Sequence, residues 1–204
     1  MVRYLAIPVI AGLISICHGQ YSTRSEINVP DILGFKTLKC DFHVHTVFSD
    51  GSVWPPIRII EAWQEGLDAI ALTEHLEHQP HREDIPTHHG RSIELASQRA
   101  QEFDLILIKG AEITRSMPPG HFNAIFIEDI DLLVRVNYQD AIKAAIDQGA
   151  FVFWNHPGWR QPETIPRWYA VHDTLLQEGW MHGIEVANDR EYYPLAVRWA
   201  LEKR

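Results

Sequence analysis

From about residue 37 onward, short and mostly continuous apolar runs alternate with amphipathic stretches. The runs are Lys39 to His45, Ala69 to Thr73, Leu105 to Lys109, Ala124 to Ile127, Phe151 to Trp154 and Gly183 to Ala187. Segments of that length and continuity suit strands buried on both faces, as in a parallel sheet or barrel. Helical spacing fills the gaps between them. Pro55-Pro56 opens a helix with Ile59, Ala62 and Trp63 on one face and Gly66 as its stop, and Ile93, Ala96, Ala100 and Phe103 repeat the spacing. The clearest stripe is Tyr138, Ala141, Ile142, Ala145 and Ile146, started by Asn137 and stopped by Gly149. A last helix is expected from Pro194 to Lys203. Strand and helix in turn predict an α/β fold. Six runs fall short of the seven or eight strands of a parallel barrel, so at least one closing strand is missing from the expected architecture.

The amino terminus follows a different pattern. Arg3 precedes an apolar run from Leu5 to Ile16 without an acidic residue, and Cys17-His18-Gly19-Gln20 follows. This is the layout of a secretory signal peptide, too short for the roughly 20 apolar residues of a spanning helix. Residues 1–19 are therefore expected to be removed near Gly19, which places the mature protein outside the cytoplasm, secreted or periplasmic, with no stable membrane insertion. Lipidation at Cys17 is the competing reading, against which stands the bulky Ile16 just before it; a retained anchor is the third. Residues 20–36 read as a polar lead, and 37–204 as one domain without internal linker.

Composition narrows the function. A chain of 204 residues, 46% hydrophobic, can bury one sizeable core. Its 27 acidic against 18 basic residues, a formal charge of -9, argue against binding a nucleic acid duplex. Two cysteines cannot build a disulfide framework or a four-Cys zinc site, and Cys40 reads as a buried structural thiol, whereas 12 histidines point toward metal.

Those histidines gather where barrel chemistry resides, at the carboxyl ends of strands. In Asp41-Phe42-His43-Val44-His45 the alternation of strand side chains puts His43, His45 and Asp41 on one face, the two imidazoles about 7 Å apart along it. The second run leads into Thr73-Glu74-His75, the third into Gly110-Ala111-Glu112 and the fifth into Asn155-His156-Pro157. His121 lies in the turn entering the fourth, and Asp50 in the loop after the first. Five imidazoles and two carboxylates exceed the needs of one tetrahedral zinc and fit a multinuclear site, in which a carboxylate such as Glu112 can bridge two ions and an imidazole cannot. Such ions lower the pKa of a bound water and clamp phosphoryl oxygens during in-line attack.

These motifs, from Asp41-Phe42-His43-Val44-His45-Thr46 and Ser49-Asp50-Gly51 through Thr73-Glu74-His75, Gly110-Ala111-Glu112 and His121 to Asn155-His156-Pro157, resemble those of the PHP (polymerase and histidinol phosphatase) superfamily. The resemblance implies a distorted seven-stranded TIM-like β/α barrel with two or three divalent ions, Zn, Mn or Fe. It implies that His43, His45 and Glu112 hold one ion, that Glu112, His121 and His156 hold a second, and that Asp50 and His75 hold a third, with Asp41 and Glu74 orienting ligands. It also implies a last strand carrying an Asp-x-His pair that does not occur before Arg204, so the expected domain is incomplete at its C-terminal side.

Within the superfamily, the stretches around Trp54, Lys109 to Arg115, Met117 to Ala124 and Phe153 to Trp159 look like a secreted phosphodiesterase branch. The expected activity is phosphodiester hydrolysis of a small phosphate ester by a metal-bound hydroxide. Phosphomonoester cleavage of the histidinol phosphatase type is the alternative, and an inactive metal-binding fragment another. Glu112, His121, Arg115 and Arg160 are the catalytic candidates, the two arginines as contacts to phosphate oxygens or surface ion pairs, and Trp54 and Trp159 as walls of a leaving-group pocket or rim aromatics. His78, His81, His88 and His89 read as a solvated loop, and His172 and His182 as structural. Sequence leaves the oligomeric state open.

Overall fold

The computed structural model describes residues 23–85, 88–159 and 166–203; the expected signal peptide and Arg160 lie outside them. A single curled sheet carries the domain, with strands in the order β1 (Cys40–Val44), β2 (Ala69–Leu72), β3 (Ile106–Ile113), β4 (Phe122–Ile125), β5 (Phe151–Trp154) and β6 (Gly183–Ile184). A small antiparallel hairpin, β7 (Ala187–Asn188) with β8 (Glu191–Tyr192), follows the sixth strand. The five helices are α1 (Pro55–Gln64), α2 (Arg91–Glu102), α3 (Tyr138–Ile146), α4 (Ala170–Gln177) and α5 (Pro194–Glu202). The result is a half-barrel of the TIM-like kind, whose described edge strands β1 and β6 do not pair with each other.

Three sequence expectations need correction. The sheet is not parallel throughout: β4 runs antiparallel to both β3 and β5. The link from β3 to β4, residues 114–121, is too short for the dozen or more residues that a parallel crossover requires, so the chain turns straight back. The third strand extends past Lys109 to Ile113, which places Glu112 inside a strand and not beyond it. The sixth pairs only over Gly183–Ile184 and leaves Glu185 just past its end.

Strand alternation sorts the core into layers. On β2, Ile70 and Leu72 face outward into a cluster with Ile59 and Ala62 of α1 and Ala96 and Ala100 of α2. Ala69 and Ala71 face inward and pack with Ile108, Ile125 and Phe153 to close one end of the interior. Behind β3 to β5, Ile113, Phe122, Val152 and Trp154 meet Ala141, Ile142 and Ala145 of α3 and Leu175 of α4. Asn137 caps α3 by accepting from the Gln139 amide at 2.9 Å, as its place in the sequence predicts. His172 lies inside α4, fully buried, stacked on Trp154 at 3.8 Å and donating from Nε2 to the Pro119 carbonyl at 2.8 Å. Its neutral form is the one this packing tolerates, and burial pulls its pKa down to about 4.

Candidate metal centre

At the other end of the interior the inward rows turn polar. Pairing between β2 and β3 continues beyond the strands, with the Glu112 amide donating to the Glu74 carbonyl and Leu76 N to the Glu112 carbonyl, which sets His75 beside Glu112. On the antiparallel side Asn155 N donates to the His121 carbonyl and brings His121 and His156 to the same mouth. Asn123 and Asn155, both fully buried, bond to each other, and Asn123 Nδ2 crosses the half-barrel to the Phe42 carbonyl of β1 at 3.3 Å. This amide strut holds the strand that carries the histidine pair.

Glu112 is the hub. Its Oε2 lies 2.7 Å from His43 Nε2 and 3.3 Å from His45 Nε2. Its Oε1 lies 2.6 Å from His121 Nδ1, 3.3 Å from His75 Nδ1 and 4.0 Å from His156 Nε2. The two oxygens thus face two different sets of imidazoles. Burial alone would raise the pKa of this carboxyl, but the imidazoles of His121, His43 and His45 gathered around it hold it well below the usual range. Conversely, burial works against charge on His43, and the carboxylates of Glu112 and Glu185 outweigh it, raising its pKa to about 10. His156 is pushed down to about 4 by burial, despite the attraction of Glu112, and stays neutral.

Asp50 Oδ2 sits 3.4 Å from His75 Nε2, and its bond to that ring pulls its pKa down to about 2. The loop that presents Asp50 is anchored by Glu74, which accepts from Thr46 N, Thr46 Oγ1 and Ser49 Oγ and is itself buried. Gly51 closes this loop against the chain: a Cβ there would lie 2.7 Å from the His45 carbonyl carbon and oxygen. Glu74 therefore acts on the loop, while Asp41 accepts from the His43 amide at 3.0 Å.

Among the described residues, three groups have candidate ligand atoms within 4.8 Å of one another: His43, His45 and Glu112; His45, Asp50 and His75; and His75, Glu112 and His121. These groups overlap with the sets implied by the resemblance without coinciding with them. His45 joins Asp50 and His75, and His75 stands closer to Glu112 than His156 does. The chemistry of the donors fits divalent ions. So does a defect: Glu112 Oε1 and His121 Nδ1 are buried and 2.6 Å apart, yet neither has a partner of hydrogen-bonding geometry. A buried polar atom left so costs about 1–3 kcal/mol, which a cation between imidazole and carboxylate removes.

Beside His121 and His156 opens a cavity of about 490 Å³ lined by Thr114, Arg115, Ser116, Met117, Gly120 and Trp159. The Trp159 ring lies 5.3 Å from that of His121 and 5.1 Å from that of His156. Trp54 is elsewhere, exposed at the start of α1 against Phe48. Arg115 lines the cavity but its guanidinium is engaged by Glu77 and by the carbonyls of Thr114 and Arg135, so it ties loops together at this point. The four histidines of the 78–89 loop enter none of the three ligand groups.

The sequence reading overlooked Glu185. It is half-hidden within an apolar run, but it stands directly past a strand end, the same position that singled out the other ligands.

No protein-family model matches the chain. An uncharacterized protein of Methanocaldococcus jannaschii is 33% identical over 84 residues, 40% of this chain and 36% of that protein. A crystal structure from Bacteroides vulgatus, a two-domain protein containing a predicted PHP-like metal-dependent phosphoesterase, superposes with a TM-score of 0.86 and 55% identity over 89% of this chain. The chain spans about half, 53%, of that protein's length. A candidate metal-dependent phosphoesterase from Bifidobacterium adolescentis shares the fold at a TM-score of 0.59 and 18% identity, covering 82% of this chain and 85% of that one. An amidohydrolase from Chromobacterium violaceum, solved with sulfate and no metal, does so at 0.57 and 16%, covering 80% and 82%. The half-barrel, the histidine and carboxylate mouth and this likeness to the Bacteroides protein together support membership of the PHP superfamily.

Proposed function

We propose that the chain is a metal-dependent phosphoesterase that hydrolyses small phosphodiesters with two or three divalent ions of the Zn, Mn or Fe type. The observation that carries this reading is Glu112, a fully buried carboxylate whose two oxygens face separate sets of imidazoles. The 55% identity to a protein described as containing a PHP-like phosphoesterase supports phosphoester chemistry. When bound, divalent ions supply Lewis-acid neutralisation of phosphoryl charge and a water of lowered pKa.

The chain's own residues then have distinct tasks. Glu112 separates two ion positions, and Glu74 with Thr46 and Ser49 holds the loop that brings Asp50 to His75. His156, kept neutral, retains a nitrogen lone pair for an ion. The cavity beside His121, with Met117 and Trp159 in its walls, has the size of a small-molecule subsite and gives room for the second organic group of a diester. Arg160, next to Trp159 in the sequence, is the proposed contact to a phosphate oxygen. The signal-like residues 1–19 make the proposed setting extracellular or periplasmic; no helix among the described residues is long and apolar enough to cross a membrane.

A second reading, ion binding without turnover, is favoured by the open seam between β1 and β6. One experiment separates them. The purified chain, loaded in turn with Zn²⁺ and Mn²⁺, is assayed on bis(p-nitrophenyl) phosphate and p-nitrophenyl phosphate, with metal per chain measured alongside. Two or more ions and faster diester cleavage are expected. Bound ions without hydrolysis of either ester would favour the second reading, and preferred monoester cleavage would reverse the assigned specificity.

A further inference from the structure

Glu185 stands outside the three ligand groups, yet its carboxylate reaches both sides of the centre. Oε1 accepts from His43 Nδ1 at 2.9 Å, and Oε2 accepts from the His156 amide at 2.6 Å. That amide belongs to a residue with φ of +26°, a conformation that a side-chain-bearing residue keeps only when its surroundings hold it. The carboxylate is itself fixed by Asn188 Nδ2, which donates to Oε1 at 3.1 Å from the β7–β8 hairpin.

The same amide nitrogen of Asn188 lies 3.3 Å from His43 Nδ1. Two candidate partners of opposite character thus compete for one ring nitrogen. A carboxylate only accepts, so it calls for the proton on Nδ1; an amide NH₂ only donates, so it calls for a lone pair there. A ring that ligates an ion must be neutral, and in a neutral imidazole the choice at one nitrogen decides the other. With Nδ1–H given to Glu185, the Nε2 lone pair points at the position framed by Glu112 Oε2 at 2.7 Å and His45 Nε2 at 3.0 Å. With Nδ1 accepting from Asn188, Nε2 carries the hydrogen and cannot ligate.

We infer that Glu185 is the positioning residue of this centre: reaching across the seam, it selects the His43 tautomer that can bind an ion, against the opposite choice offered by Asn188, and it pins the His156 backbone just past the neighbouring strand β5. The inference rests on the ion-binding reading above. It assigns Glu185 no contact with substrate.

The test uses the full chain with Zn²⁺, whose affinity is measured by chelator competition, and imidazole ¹⁵N NMR of the zinc-treated protein. Glu185→Ala should lower zinc affinity about 10- to 100-fold, the range for groups that orient a ligand, and shift His43 toward the form with hydrogen on Nε2. Adding Asn188→Asp to Glu185→Ala returns an acceptor to His43 Nδ1 and should restore most of the affinity together with the Nδ1–H signal. Should Glu185→Ala fail to fold, Glu185→Gln, which keeps the volume and one acceptor, should show the same changes at smaller size. Zinc affinity and His43 signals equal to those of the unaltered chain would overturn the inference. So would an affinity loss with unchanged His43 signals, or one that Asn188→Asp leaves unrepaired. Failure of the underlying reading looks different: the unaltered chain itself would take up no zinc.

Discussion

The two ends of the half-barrel interior are built from the same strands and obey opposite rules. Along β3 the inward row runs Ile108, Gly110, Glu112; along β4 it runs Ile125, Asn123; along β5 it passes from Phe153 to Asn155 just beyond the strand. One end is closed by Ala69, Ala71, Ile108, Ile125 and Phe153 and needs nothing else. The other gathers Glu112, His75, Asn123 and Asn155, all buried, and leaves Glu112 Oε1 and His121 Nδ1 without hydrogen-bond partners. The step from one regime to the other takes two to four residues per strand, roughly 7–14 Å. Stability and chemistry are thus stacked along one axis, with the apolar layer serving as the floor on which the ligands stand.

The contrast can be broken at either end. Glu112→Ala removes the carboxylate whose two oxygens face separate sets of imidazoles and, on the proposed reading, should lower zinc affinity by about 100-fold or more, since even groups that merely orient ligands account for 10- to 100-fold. Zinc should then no longer raise Tm, which a thermal melt with and without the ion checks. Phe153→Ala acts on the floor: it should cost about 3 kcal/mol in denaturant unfolding, the low end for such a truncation because Phe153 borders a cavity that opens between β1 and β6, lined also by Cys40, Phe42 and Ile184, while zinc per folded chain stays unchanged. Loss of zinc in this variant would show that floor and mouth are one cooperative unit.

A smaller effect follows from pH. The pKa of His172 lies near 4 when folded against 6.5 for a free imidazole, so between these values the unfolded chain binds the additional proton. Its contribution is complete above about pH 6.5 and falls away as pH drops toward 4. His156, also near 4, adds to the same slope, whereas His43, raised to about 10, acts in the opposite sense only between 6.5 and 10. The Tm of the metal-free protein should therefore fall from pH 6.5 to 4, and His172→Gln should flatten part of that fall. An unchanged slope in this variant would mean that the mouth alone carries the acid sensitivity.

Much of the site was readable because its members sit at one repeated position, the carboxyl end of an apolar run. His43, His45, His75, Glu112 and His156 all follow that rule, and the structure brings them to one mouth with His121 and Asp50. Glu185 lies inside its apolar run and becomes a strand-end residue only because β6 stops at Ile184, and nothing local distinguishes a carboxylate that will face His43 from one that will face water. At Arg115 the sequence offered two readings, phosphate contact or ion pair, and only the fold shows that Glu77 and two backbone carbonyls engage its guanidinium.

What the amino-acid sequence determined by itself is what local physics governs: helix faces, the Asn137 cap, the short buried strands and the residue types able to hold an ion. Strand direction at β4, the sharing of Glu112 between two sets of imidazoles and the competition of Glu185 and Asn188 for one nitrogen were decided by the tertiary structure. The physical reason is separation along the chain: His43 meets Glu112 and Glu185 across 69 and 142 residues, and no periodicity within a strand or helix reaches so far.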